Sequence, residues 1–102
     1  MTTPEGKVKA KVRAILDDTR IWSFWPVPSG YQAASLDVLC AVRVKNIPVF
    51  FAIETKAPGK GITDRQGLLI EDLELRLNAK VFVIDGEEGL EELRAWLKKI
   101  LG

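Results

Sequence analysis

The chain has 102 residues, of which 47% are hydrophobic and 28% charged, and this composition indicates one globular domain and excludes a disordered chain. The formal net charge is +1, so no overall positive field indicates a nucleic-acid partner, and a nucleic-acid binder of this kind needs locally clustered charge. Histidine is absent, which excludes histidine-based catalytic triads and histidine-ligated metal sites.

Cysteine use and hydropathy narrow the class of protein further. The one cysteine, Cys40, lies within an apolar run, so we expect a reduced core residue and neither a disulfide nor a cysteine-ligated zinc within one chain. No apolar run reaches the length of a membrane-spanning helix, and residues 1–5 lack the pattern of a signal peptide. We therefore expect a cytoplasmic protein.

The first predicted element is a helix that begins near Thr3. Thr3 suits the N-cap, and Pro4 suits the first helical position. Apolar residues then recur at helical spacing: Val8, Val12, Ile15 and Leu16. A step of about 100° per residue aligns Glu5 with this stripe, so we expect its carboxylate to point toward the sheet. An acid placed only to favour the positive end of the helix dipole is the alternative.

Three strands are predicted to follow. Residues 20–27 are rich in aromatic side chains and suit a first strand that prolines close. Residues 28–30 predict a turn or loop. Residues 36–44 predict a second strand and residues 45–48 a tight connection. Residues 49–56 predict a third strand, antiparallel to the second.

The remaining elements are a helix, a strand and a helix. The second helix is expected from Thr63 to about Leu77, with Asn78 at its C-terminal cap. Residues 80–85 predict a fully buried fourth strand, and residues 88–101 predict a last helix. The inner stripe of that helix is formed by Leu90, Leu93, Leu97 and Ile100. The order α-β-β-β-α-β-α predicts an α/β fold with a mixed four-stranded sheet flanked by helices.

Charged residues interrupt two of these strands. Glu54 and Lys56 lie two residues apart at the end of an apolar run, so alternation places both side chains on one face. Asp37 interrupts the apolar run of the second strand. Ionised groups rarely lie in apolar strands without a partner or a metal, so this set indicates a divalent-metal site next to a phosphate. A surface ion pair between Glu54 and Lys56 is the alternative.

Gln66, near the start of the second helix, allows two interpretations. With Thr63 it fits a capping box, in which the glutamine side chain reaches back to the N-cap amide. It also falls on the apolar face of the helix, where its amide would point at the sheet beside the metal site. Lys60 and Arg65 flank the same helix N-terminus, which favours phosphate oxygens. Solvated surface charge is the alternative for each of these two cations.

Together these residues resemble the VRR-NUC family, the virus-type replication-repair nucleases of the PD-(D/E)xK superfamily. The resemblance covers nearly the whole chain and rests on an ordered set of features. These are an acid in the first helix (Glu5), a glycine-containing segment that leads to an acid on a strand (residues 30–37), Ile53-Glu54-Thr55-Lys56, and Gln66. The chain has Leu36 where the superfamily motif often has proline. The compact phage-type members are most similar, so residues 1–102 are expected to form one VRR-NUC-like nuclease domain.

The resemblance implies a Mg²⁺- or Mn²⁺-dependent DNA endonuclease, similar to the Holliday-junction resolvases that cut four-way junctions. Asp37 and Glu54 would hold the metal directly, and the backbone carbonyl of Thr55 would complete its protein ligands. Glu5 would hold the metal through water or bind a second ion. The hard oxygen ligands of such a site suit Mg²⁺ and Mn²⁺.

The family also implies roles for two polar side chains and a set of partners. Lys56 would position the attacking water or stabilise the charge that builds on the scissile phosphate, and Gln66 would orient Lys56 or a water. DNA contacts are expected from local cations, namely Lys7, Lys11, Lys60 and Arg65. Phage-type members act as dimers, so we expect a homodimer in the cytoplasm of a bacterium or of a phage-infected host.

Aromatic residues are the candidates for the dimer interface. The segment over residues 22–25 carries aromatics on both strand faces, and Trp96 lies at the edge of the inner stripe of the last helix. Completion of the monomer core by all three tryptophans is the alternative. Two other classes of protein also remain open: a non-catalytic DNA-binding or interaction module with the nuclease fold, and a small structural protein in which Glu54 and Lys56 form only an ion pair.

Overall fold

The computed structural model of the protein describes residues 3–26 and 36–102, which form three helices and four strands in the predicted order. The helices are α1 (Pro4–Asp18), α2 (Asp64–Leu77) and α3 (Glu87–Leu101). The strands are β1 (Trp22–Phe24), β2 (Val38–Val44), β3 (Ile47–Thr55) and β4 (Lys80–Ile84). None of the described helices is long and apolar enough to cross a bilayer.

The four strands form one mixed sheet in the order β1-β2-β3-β4. β2 pairs antiparallel with β1 and with β3, whereas β3 and β4 run parallel. Parallel neighbours need a crossover connection, and α2 supplies it. The prediction of an α/β fold with a mixed four-stranded sheet and three helices is therefore confirmed.

Capping residues set the start of α1 and the end of α2. Thr3 Oγ1 accepts a hydrogen bond from Gly6 N at 3.0 Å, and Pro4 is the first residue of α1. Asn78 follows α2 with φ 53°, the left-handed conformation of a C-terminal cap. Both positions agree with the sequence-based prediction, because the cap residues act through local hydrogen bonds.

The connection between β2 and β3 is shorter than predicted. Lys45 and Asn46 both have positive φ, 51° and 68°, as a two-residue type I′ hairpin turn requires. Ile47 and Pro48 belong to β3, so their assignment to the connection was wrong. The proline at position 48 favours assignment to a loop. The two left-handed residues, Lys45 and Asn46, nevertheless complete the turn before Pro48.

Two strands also begin later than predicted. Arg20 has φ 54°, and this left-handed conformation interrupts an extended chain, so β1 does not include it. Asp37 lies in a bend that precedes β2, so Leu36 and Asp37 flank the strand rather than begin it. Val27, the predicted turn at 28–30 and the glycine-containing segment before Leu36 lie outside the described residues.

One face of the sheet, which we call the core face, packs against α1 and α3. Its strand residues are Val38, Cys40, Phe51, Ile53, Phe82 and Ile84. They contact Val8, Val12, Ile15 and Leu16 of α1 and Leu90, Leu93 and Leu97 of α3. Cys40 is free and buried, as predicted, and burial raises the pKa of its thiol to about 12.

The opposite face, which we call the open face, is covered less completely. α2 contacts β4, but no residue of α2 is fully buried. Val83 in β4 is 43% exposed, so the prediction of a fully buried fourth strand was wrong. β4 is an edge strand, and only its core-face residues Phe82 and Ile84 are enclosed.

The three tryptophans have different surroundings. The Trp96 ring packs between Phe51 and Phe82, with ring centroids 5.0 and 5.5 Å away. Trp25 also packs against the core. Trp22 is 62% exposed. The alternative in which all three tryptophans complete the monomer core was therefore wrong, because Trp22 is exposed. The other two, Trp25 and Trp96, do pack against the core.

Truncation of Leu93 should destabilise the fold far more than the same change near the end of α3. Leu93 is fully buried between α3 and the core face, and Leu93→Ala should cost about 2–5 kcal/mol through lost burial and the cavity that remains. Leu101 is exposed in the last turn, so Leu101→Ala is the matched control, with a cost below about 1 kcal/mol. Denaturant unfolding measures both. Equal costs would contradict this location of the core.

Candidate active site

The site forms where β2 begins and β3 ends. Asp37 immediately precedes β2, and Glu54 is the penultimate residue of β3. The antiparallel register pairs Val38 with Ile53, and one further step brings Asp37 opposite Glu54. Two carboxylates that are 17 residues apart in sequence therefore meet because of strand pairing.

Both carboxylate oxygens of Glu54 accept hydrogen bonds. Oε1 accepts from the backbone N of Asp37 at 3.1 Å. Oε2 accepts from Gln66 Nε2 at 2.7 Å and lies 3.2 Å from Lys56 Nζ. The residue is only 3% exposed, so these donors replace the water that an exposed carboxylate would bind.

Asp37 is held in a similar way. Its Oδ2 accepts from the backbone N of Thr55 at 2.8 Å and from Thr55 Oγ1 at 2.6 Å. Its Oδ1 lies 3.6 Å from Lys9 Nζ. The hydroxyl of Thr55, which is fully buried, thus orients the carboxylate of Asp37. A ligand role for the Thr55 carbonyl stays a prediction.

The electrostatics of Glu54 reflect its burial and its neighbour. Desolvation raises the pKa of the Glu54 carboxyl above its ordinary value, and the charge of Asp37 raises it further. The hydrogen bond and the positive charge of Lys56 oppose this rise. The net direction is upward, so Glu54 is a carboxylate whose charged form needs a nearby cation.

Gln66 performs both functions that the sequence suggests. Its Oε1 accepts a hydrogen bond from Thr63 N at 3.0 Å, and its backbone N donates to Thr63 Oγ1 at 3.2 Å, which completes the capping box of α2. Its Nε2 remains free for Glu54. The capping box therefore fixes the position of the Gln66 side chain. Its amide nitrogen donates a hydrogen bond to Glu54 rather than contacting Lys56.

Lys9 is the residue that sequence reasoning missed. It is half-buried in α1 and pairs with Asp37. A signal for it exists, because Lys9 lies one helical turn after Glu5, which the apolar stripe already places on the sheet side. Which lysine of α1 reaches the site depends on how the helix packs on the sheet.

The four cations predicted to contact DNA are all exposed: Lys7, Lys11, Lys60 and Arg65. Lys11 Nζ lies 3.6 Å from Glu87 Oε2, so an acid already offsets part of its charge. Lys60 lies between β3 and α2, and Arg65 is in the first turn of α2, close in sequence to the Gln66 that contacts Glu54. These two therefore lie close in sequence to the site residues Lys56 and Gln66, and their contact with DNA stays a prediction.

A divalent ion fits the donors that the site provides. Asp37 and Glu54 offer hard carboxylate oxygens from opposite residues, and Mg²⁺ is usually held by one or two carboxylates together with water and substrate phosphate. Within residues 3–26 and 36–102, no three histidine, cysteine, aspartate or glutamate side chains form a group that could hold a metal. Glu5 is half-buried in the first turn of α1, and its role as a ligand through water or of a second ion stays a prediction.

Comparison of the chain with protein-family models, curated proteins and solved structures finds no match in any of the three. The resemblance to the VRR-NUC family thus rests on the sequence features described above. Function is inferred from the geometry of Asp37, Glu54 and their donors.

The raised pKa of Glu54 should appear in the pH dependence of stability. In the folded protein the carboxyl of Glu54 keeps its proton to a higher pH than in the unfolded chain, where the proton leaves near the ordinary pKa of 4.5. The contribution of Glu54 to stability is therefore lost as pH rises from about 4.5 through the raised pKa. Glutamine does not titrate, so Glu54→Gln removes this loss of stability. We expect its melting temperature, relative to wild type, to increase from about pH 4 to about pH 8.

The control for this measurement is Glu74→Gln, which changes an exposed glutamate of α2. Its melting temperature relative to wild type should change less over the same interval than that of Glu54→Gln. A constant difference for Glu54→Gln would contradict the raised pKa.

Proposed function

We propose that the protein is a Mg²⁺- or Mn²⁺-dependent endodeoxyribonuclease of the VRR-NUC type within the PD-(D/E)xK superfamily. The single observation that carries the proposal is the pairing of Asp37 with Glu54 across two strand ends, with Lys56 Nζ 3.2 Å from Glu54 Oε2. We further propose that it selects branched DNA, as Holliday-junction resolvases do, in the cytoplasm of a bacterium or of a phage-infected host.

Asp37 and Glu54, with the backbone carbonyl of Thr55, would hold the ion. When bound, a divalent ion lowers the pKa of bound water and neutralises charge on the phosphate. Thr55 keeps Asp37 oriented through its N–H and hydroxyl. Gln66 keeps Glu54 oriented from the start of α2. The pair is thereby preorganised rather than assembled when substrate arrives.

Lysines supply the positive charge of the site. Lys56 is largely buried beside Glu54, so its ammonium stabilises the negative charge that builds on a phosphate bound at the carboxylates. Lys9 pairs with Asp37 from α1. A lysine donates hydrogen bonds without acting as a metal ligand while it is charged, so both lysines leave the ligand role to the acids.

A non-catalytic DNA-binding or interaction module with the same fold is the second candidate. One observation favours it: Lys9 and Lys56 together offset the charge of Asp37 and Glu54, so the cluster is neutral without an ion. The test is incubation of the purified protein with labelled four-way junction, flap, duplex and single-stranded DNA, with and without Mn²⁺. Cleavage that requires Mn²⁺ supports the nuclease, whereas binding of DNA without cleavage supports the module.

Removal of either acid should abolish cleavage while folding is retained. Asp37→Ala and Glu54→Ala each remove a metal ligand, and we expect a loss of at least about a hundredfold in cleavage rate with Mn²⁺. Lys56→Ala should lose turnover but keep affinity for the ion, because the lysine repels the ion. Cleavage assays and calorimetric titration with Mn²⁺ separate these effects, and Glu74→Ala serves as the control. Wild-type cleavage by either acid variant would refute the site.

A homodimer is the second part of the proposal. Leu68 and Leu75 of α2 are exposed and lie seven residues apart, so they share one stripe of the helix. Trp25 and Trp96, two of the aromatics predicted for the interface, are used within the monomer core. We therefore propose that the exposed leucines of α2 pair with the same stripe of a second copy.

Replacement of the leucine stripe should yield a monomer. Leu68→Ser combined with Leu75→Ser removes the apolar contact, whereas Ile47→Ser changes an exposed residue at the far end of β3 and should leave the dimer intact. Light scattering at micromolar concentration measures the mass. A wild-type mass near one chain would reject the dimer, and a dimeric double variant would reject this interface.

A further inference from the structure

Two large aromatic side chains are exposed on the edge strand β1. Trp22 is 62% exposed and Phe24 is 51% exposed. Ser23 between them pairs with Cys40, which is buried on the core face. Side chains alternate along a strand, so Trp22 and Phe24 both project from the open face. α2 contacts β4 at the other edge of the sheet and leaves these rings uncovered.

This aromatic pair lies beside the candidate active site. Phe24 pairs with Leu39, which is two residues, or about 7 Å of strand, from Asp37. Leu39 in turn pairs with Ala52, two residues before Glu54. Since residues that are directly opposite one another share a face, Phe24 and Glu54 lie on the same face of the sheet.

A positive charge stands beside the end of this aromatic pair that is away from the candidate active site. Trp22 pairs with Ala41, and Arg43 follows two residues later on the same face. Arg43 is exposed and has no carboxylate partner among the described residues. At the other end Lys56 is paired with Glu54. Aromatic rings beside the Arg43 cation suit a polyanion that also presents planar faces.

We propose that Trp22 and Phe24 stack on unpaired bases of single-stranded DNA, with Arg43 on the backbone phosphates, while the adjoining phosphate enters the site at Asp37 and Glu54. This inference rests on the proposed nuclease function and specifies its substrate. Bases in a duplex hide their faces against one another, whereas unpaired bases stack freely on aromatic side chains. The preferred substrate is therefore branched DNA in which a single-stranded segment adjoins the cleaved bond, such as a flap, in place of the fully paired four-way junction that a resolvase cuts. A second copy of the chain would cover the rings but would leave the Arg43 charge without a partner.

The test compares binding of single-stranded and duplex DNA by the full chain without divalent ions. In Trp22→Thr combined with Phe24→Thr, threonine keeps the strand propensity and removes the rings. We expect affinity for labelled oligothymidine, measured by fluorescence anisotropy, to fall at least about fivefold for each ring removed. Affinity for a duplex of equal length should stay unchanged. The salt dependence of single-strand binding should keep its slope, because no phosphate contact is lost.

Two control variants sharpen the comparison. Trp22→Tyr combined with Phe24→Tyr keeps aromatic rings and should bind oligothymidine nearly as well as wild type. Ile47→Thr changes an exposed residue next to the hairpin turn, on the face of the sheet opposite Trp22 and Phe24, and should bind as wild type does. Thermal unfolding of each variant establishes that it is folded.

Three outcomes would overturn the proposal. The first is unchanged single-strand affinity in the threonine variant. The second is an equal loss for single-stranded and duplex DNA, which would make the rings a general support of the fold. The third is a drop in mass by light scattering with single-strand affinity retained, which would assign the surface to a second copy. Failure of wild-type protein to cleave DNA with Mn²⁺ would refute the nuclease but leave this binding result intact, so the two failures are distinguishable.

Discussion

Two like charges held together at the ends of two strands are the constraint on which the candidate site depends. Asp37 and Glu54 repel each other, and burial of Glu54 adds a desolvation cost. Donors from separate parts of the chain offset both effects: Lys9 from α1, Gln66 from α2, and Lys56 and Thr55 from the end of β3. The strand register and both helices must therefore be in place before the pair is stable. Loss of one donor would leave a buried charge uncompensated, which is costly.

The features that sequence predicts well are those that local physics determines. Thr3 and Asn78 act within one turn of their own helices, and the capping box of Gln66 is likewise local. Alternation along one strand is enough to place Glu54 and Lys56 together. Asp37 joins them because antiparallel pairing of neighbouring strands is the simplest arrangement for two short connected runs.

The features that sequence predicts poorly depend on which surfaces meet in the folded chain. Several lysines of α1 are equivalent by pattern, and only the packing of the helix selects Lys9. The apolar run of β4 resembles a central strand, yet its position at the edge leaves Val83 exposed. The aromatics of β1 are typical of a core strand, but Trp22 is exposed on the open face. In each case a correct prediction requires knowing which surface packs against the residue. A local sequence pattern does not contain that information.

The single thiol of the chain, that of Cys40, can report on opening of the fold. Cys40 lies in β2 between two antiparallel neighbours, and its thiol is buried with a pKa raised to about 12. An alkylating reagent needs the thiolate and physical access, and the folded state denies both. The rate of alkylation under native conditions therefore measures how often the fold opens so that α1 or α3 separates from the sheet. Because the chain has no other cysteine, the signal belongs to the strand that leads out of the candidate site.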